Sequence, residues 1–165
     1  MKKFIGLMIF VVCISSLLCG CKLFANEKSL KDTAAEHLNL VLDNATVLEE
    51  WDTHGGFHGD GDAFVKLSCA DGFEEHLNSE WKPLPLEGEA YRYFYEWGGV
   101  FEHPETNERV IPEIDNGYWY FKNTGAMNWE FALFDCDENT LYFYVFDASG
   151  LPARATYVIT DPYHY

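Results

Sequence analysis

Three apolar stretches in the second half of the chain constrain its fold most: Tyr118 to Lys122, Trp129 to Cys136 and Leu141 to Asp147. Aromatic side chains fall at successive positions, as in Tyr118-Trp119-Tyr120-Phe121 and Tyr142-Phe143-Tyr144. Neighbouring residues of a strand point to opposite faces, so both faces of these strands carry rings. One face must be core. The other is a second packed layer, or a platform for sugar rings or a protein partner; packing is the preferred reading, because aromatics are also good strand formers.

The other elements follow from spacing. Thr46 to Trp51 and Ala63 to Cys69 read as strands flanking a glycine-rich loop, with Val65, Leu67 and Cys69 alternating with Phe64, Lys66 and Ser68. The alternation of Tyr91, Tyr93, Tyr95 and Trp97 predicts another strand, and Ala155 to Thr160 a last one. Asp137-Glu138-Asn139 is a turn, and Gly150 and Pro152 mark another. Ser29 to Asp43 reads as a helix, with Ser29 and Asp32 as an acidic capping box and Leu30, Ala34, Leu38, Val41 and Ala45 on one stripe. A second, short helix is expected from Asp71, carrying Phe73 and Leu77, and Pro83 and Pro85 bar its extension much beyond Trp81. This order predicts an α+β domain: an antiparallel sheet of about six to seven strands with one or two helices packed on one face.

The amino terminus sets an address. Lys2 and Lys3 precede the apolar run Phe4 to Leu18, which is shorter than the ~20 residues that span a bilayer. Leu18-Cys19-Gly20-Cys21 then resembles the bacterial lipobox. The resemblance implies attachment of diacylglycerol to Cys21 and cleavage after Gly20. Each buried methylene of such chains contributes about 0.8 kcal/mol to membrane binding. The expected organisation is a signal peptide over 1–20, a lipidated tether over 21–28 and one domain over 29–165. The setting is the extracytoplasmic face of a bacterial membrane. Ordinary secretion with cleavage elsewhere is the alternative.

Charge narrows the partners. Loss of Lys2 and Lys3 leaves nine basic against 27 acidic side chains, a formal balance of −18. Such a chain repels nucleic acid and anionic head groups and attracts cations or basic partners. Solubility alone is the simpler explanation of the acidity. Cys69 and Cys136 remain after processing, in a compartment where disulfides persist. A bridge between them would contribute roughly 4 kcal/mol; two separate buried thiols are the other possibility.

One loop concentrates chemistry. Asp52 to Gly61 reads D-T-H-G-G-F-H-G-D-G, followed by Asp62. His54, His58, Asp60 and Asp62 are candidate ligands, since imidazole and carboxylate together suit zinc, manganese or iron. Asp60 and Asp62 flank a glycine, as oxygen ligands of calcium do. The Gly-Gly pair between the histidines argues against a helix, so their spacing loses its geometric force. A wide hairpin loop with polar side chains bonded to its own backbone is the preferred reading; a divalent metal site and a partner-contacting loop are the others. Asp135, Asp137 and Glu138 bracket a turn, and Glu113 and Asp115 precede a strand, with no means of choosing a catalytic pair. No G-x-S-x-G elbow, H-E-x-x-H motif or phosphate-binding glycine loop occurs.

The loop string, L-N-S-E-W-K-P-L-P-L (Leu77 to Leu86) and I-P-E-I-D-N-G-Y-W-Y-F (Ile111 to Phe121) resemble those of a group of small clostridial lipoproteins. The similarity runs through most of residues 46–147 and carries no activity over. The expected function is therefore that of a lipid-anchored cell-surface protein with a non-catalytic binding or envelope-accessory domain. The alternatives are a metal-binding or metal-dependent hydrolytic domain using the loop, and an inhibitor or immunity-type protein that occupies a basic partner.

Overall fold

The computed structural model describes residues 28–54, 61–96, 101–125 and 128–147. The leader, Cys21, His58, Asp60, Trp97, the Gly150–Pro152 turn and the strand expected at Ala155 to Thr160 lie outside the described residues.

The first element is helix α1, Leu30–Leu38. Ser29 caps it: its Oγ accepts from the Asp32 backbone N–H at 3.1 Å and donates to the Asp32 carboxylate at 2.7 Å. The helix ends at Leu38, short of the expected Asp43, because Asn39 adopts a left-handed conformation (φ 51°). The Asn39 N–H then closes onto the last free carbonyls. Beyond it the burial period changes from helical to alternating. Leu40 and Leu42 turn inward, and Val41, expected on the helical stripe, is 77% exposed.

Six strands follow: β1 (Thr46–Asp52), β2 (Gly61–Ser68), β3 (Lys82–Pro83), β4 (Gly117–Gly125), β5 (Asn128–Asp135) and β6 (Thr140–Asp147). They form one open antiparallel sheet in the order β1-β2-β6-β5-β4-β3. The expected α+β class and antiparallel sheet are present. Among the described residues β1 pairs only with β2, exposes Val47 and Leu48, and shifts register between Val47 and Glu49.

The sheet is buried on both faces. On one, Val65, Leu67, Tyr120, Ala132, Phe134, Leu141 and Phe143 pack with α1, Leu40, Leu42 and a single 3₁₀ turn, Phe73–His76. That turn is what forms where the second helix was expected from Asp71. On the other face, Phe64, Trp119, Trp129, Phe131, Leu133, Tyr142 and Tyr144 lie under a second helical segment and the stretch from Phe101 to Ile114. The segment is helix α2, Gly88–Tyr91, continued by one π-helical turn, Arg92–Glu96.

α1 and the 3₁₀ turn cover one face, as expected of the helices, and α2 adds a cover on the other, because rings project from both sides of β5 and β6 and each side needs one. One expectation is corrected. Residues 91–95 are not a strand, although the tyrosines alternate. Ala90, Tyr93 and Phe94 are buried at helical spacing, while Tyr91 and Tyr95 face outward together. Arg109 holds the end of this segment. Its Nη2 donates to the Phe94 carbonyl and its Nε to the Ile111 carbonyl, each at 3.0 Å, with the guanidinium 4.0 Å from the Phe94 ring centroid.

Both layers are therefore core. Phe134→Ala on the α1 side and Phe131→Ala on the α2 side should each cost about 3–5 kcal/mol in urea unfolding. A cost below about 1 kcal/mol for Phe131→Ala would contradict the second layer.

Candidate functional site

Three places bring polar or aromatic side chains together. The first is the mouth of the β1–β2 hairpin, where the glycine-rich loop departs. Thr53 and Asp62 clamp it. The Thr53 N–H donates to the Asp62 carbonyl at 2.8 Å, and the Asp62 N–H donates to Thr53 Oγ1 at 2.7 Å. A side chain at Gly61 would meet the Thr53 and His54 backbone at 2.9 Å, so the clamp requires glycine there. His54 folds back on Asp52, whose Oδ1 lies 2.6 Å from His54 Nδ1 and accepts the His54 backbone N–H at 2.8 Å.

Asp62 points elsewhere, toward the buried ring of Tyr144. Burial raises its carboxyl above 3.8; a hydrogen bond from the Tyr144 hydroxyl and the charge of His54 oppose this in part. Burial and the neighbouring Asp62 push the Tyr144 phenol well up in turn. Trp51 packs beside this pair, 5.7 Å from the Tyr144 ring and 5.8 Å from His103. Of the four loop residues singled out from sequence, His54 and Asp62 are thus described and electrostatically linked: His54 is hydrogen-bonded to Asp52, and Asp62 lies beside Tyr144 with its Oδ1 buried and without a hydrogen-bond partner. Among the described residues no three His, Cys, Asp or Glu side chains converge as a metal group would.

The second place is one the sequence reading missed. Glu130, on β5, is only 6% exposed on the α1 face. Its Oε1 lies 3.0 Å from His37 Nδ1 and 3.9 Å from Lys122 Nζ, and its Oε2 accepts from the Tyr120 hydroxyl at 3.3 Å. Burial, then the charge of Glu130, raise the Tyr120 phenol far above its usual range. The signal was present: Glu130 shares parity with Ala132 and Phe134 and so sits at an inward position. Chemically the cluster ties the last turn of α1 to the sheet.

The third is a groove of about 490 Å³ lined by Leu84, Pro85, Leu86, Tyr91, Tyr95, Ile114 and Asp115. That volume lies in the ~300–1,000 Å³ range of small-ligand sites. Tyr91 and Tyr95 are 46% and 48% exposed, with centroids 4.9 Å apart and planes at 44°. The wall is fixed from behind: the Leu84 N–H donates to the Gly117 carbonyl at 3.0 Å, and Trp119 Nε1 donates to the Pro83 carbonyl at 3.2 Å. Reading residues 91–97 as a strand hid this pair, since a strand would put Tyr93 on the same face as Tyr91 and Tyr95.

Cys69 and Cys136 are both free and half-buried. They leave β2 and β5, which β6 separates, a distance of about 9.5 Å across two strand spacings. A disulfide needs Cα atoms within about 7 Å, so the bridge allowed by the sequence does not form here. Burial pushes the Cys69 thiol up to about 11.

No protein-family model, no curated protein and no solved structure matches the chain.

A carboxyl whose pKa is raised by folding favours the folded state at low pH. That contribution disappears as pH rises from about 3.8 through the folded value. Wild-type protein should therefore lose stability relative to Asp62→Asn as pH rises above about 4. Urea midpoints at several pH values check this; parallel profiles would contradict it. The Cys69 thiol should react with iodoacetamide at about pH 8 more than about tenfold slower in the folded protein than in urea.

Proposed function

We propose that this chain is a lipid-anchored cell-surface protein whose domain binds a partner at the envelope without catalysing a reaction. The single observation that carries the binding reading is the groove bearing Tyr91 and Tyr95. Two large rings stand half-exposed there beside a carboxylate, on a wall held rigid by β3, β4 and Arg109. Rings kept in water at a concave, pre-formed place suit recognition, because their apolar faces gain most when a ligand covers them.

The address rests on Leu18-Cys19-Gly20-Cys21 and on the basic, apolar leader before it. A tether of about seven residues, extending at most ~25 Å, would keep the groove near the bilayer surface. The acidity of the processed chain supports the same setting, since like charge keeps the domain off anionic head groups while the lipid holds it.

In a bacterium that processes lipoproteins, the full chain should fractionate with membranes and be released by detergent. Cys21→Ala should move to the soluble or secreted fraction. Retention of Cys21→Ala in the membrane fraction would overturn the anchor.

A further inference from the structure

Three aromatic faces of this domain carry a cation supplied by the chain itself. Lys66 Nζ lies 5.4 Å from the Tyr142 ring centroid, Lys82 Nζ 4.8 Å from that of Trp119, and the Arg109 guanidinium 4.0 Å from that of Phe94. Tyr91 and Tyr95 differ. They are half-exposed, and among the described residues no lysine or arginine lies over either ring.

Carboxylates outnumber cations around them. Asp115 lines the groove, and Glu87, Glu89 and Glu113 are exposed close in sequence to its lining residues. The nearby cations are already engaged: Arg92 with Glu96 at 3.4 Å, Lys82 on Trp119, and Arg109 on Phe94 and two carbonyls. Aromatic faces attract ammonium and guanidinium groups through their quadrupole, and an adjacent carboxylate adds charge and a hydrogen-bond acceptor.

Resting on the binding-domain reading, we infer that the groove between Leu84–Leu86, Tyr91, Tyr95 and Asp115 seats a lysine or arginine side chain from a basic segment of a protein partner. The tyrosine faces hold the cation and its alkyl stem. Asp115 neutralises it, and Leu84, Leu86 and Ile114 cover the methylenes. A neutral sugar would use the rings and hydrogen-bond to Asp115 but would not be drawn by the net negative charge around the groove, which is why the cationic occupant is favoured.

The test uses the full chain in non-ionic detergent and a fluorescein-labelled dodecapeptide of alternating lysine and glycine. Its lysine-acetylated form and chitohexaose serve as uncharged probes. The peptide should bind by fluorescence anisotropy, and acetylation should weaken it by at least about tenfold. Tyr91→Leu/Tyr95→Leu should weaken binding about tenfold, whereas Tyr91→Phe/Tyr95→Phe, which keeps the ring faces, should stay within about twofold. Asp115→Asn should weaken it about threefold, and Glu49→Gln/Glu50→Gln on β1 should leave it within about twofold. Unchanged melting temperatures would show that each variant is folded.

Equal binding by wild type and Tyr91→Leu/Tyr95→Leu would assign the attraction to the acidic surface at large and overturn the inference. Binding of chitohexaose without binding of the peptide would overturn the cationic assignment and leave the binding-domain reading intact. Failure of every probe to bind, in protein of native melting temperature, would count against both.

Discussion

Burial of β5 and β6 on both faces is the constraint on which the rest of the structure depends. Most antiparallel sheets of this size leave one side to water and need one cover. Here Phe134 and Phe143 need a cover on one side, and Phe131 and Tyr144 on the other. The chain supplies two unlike covers. The first is α1 with the alternating Leu40 and Leu42; the second is the short α2, its π turn and the stretch from Phe101 to Ile114. The central strands are thereby fixed from both directions, and the tyrosine groove and the hairpin mouth lie outside them, on the second cover and at the ends of β1 and β2. Glu130 is the exception within the first layer, and its three partners show what a carboxylate at such a position requires.

Much of this was legible in the residues. The strands at Thr46–Asp52, Gly61–Ser68, Gly117–Gly125, Asn128–Asp135 and Thr140–Asp147 follow the apolar runs closely, and Ser29 caps its helix as its spacing with Asp32 implies. What escaped had a common cause: periods 2 and 3.6 both fit a short run. Tyr91, Tyr93 and Tyr95 alternate, yet Ala90 and Phe94 supply the helical contacts that decide the matter. Beyond Leu38 the error ran the other way, since a left-handed Asn39 stops a stripe that Val41 and Ala45 would otherwise continue. The layer count was half legible: rings on both strand faces allowed a second layer, but nothing local said which segment would supply it.

The candidate sites divide in the same way. The glycine-rich loop drew attention because its residue types suit metal chemistry, but residue type does not give direction. His54 turns to Asp52 and Asp62 to Tyr144, and the Thr53–Asp62 clamp belongs to a hairpin that fastens its own base. The tyrosine groove carries no motif at all. It is assembled from residues 84–86, 91–95 and 114–115, which only the fold brings together, so no reading along the chain could have found Asp115 beside those rings.

The two margins of the sheet have a consequence for crowding. β3 is two residues long and contains Pro83, which offers no amide proton to a neighbour. β1 is longer and presents Val47 and Leu48, but its bulge breaks the ladder spacing, and Glu49 and Glu50 would meet their own copies as like charges. Copies of this domain brought edge to edge are denied the continuous strand-to-strand zippering that turns concentrated β-proteins into fibres.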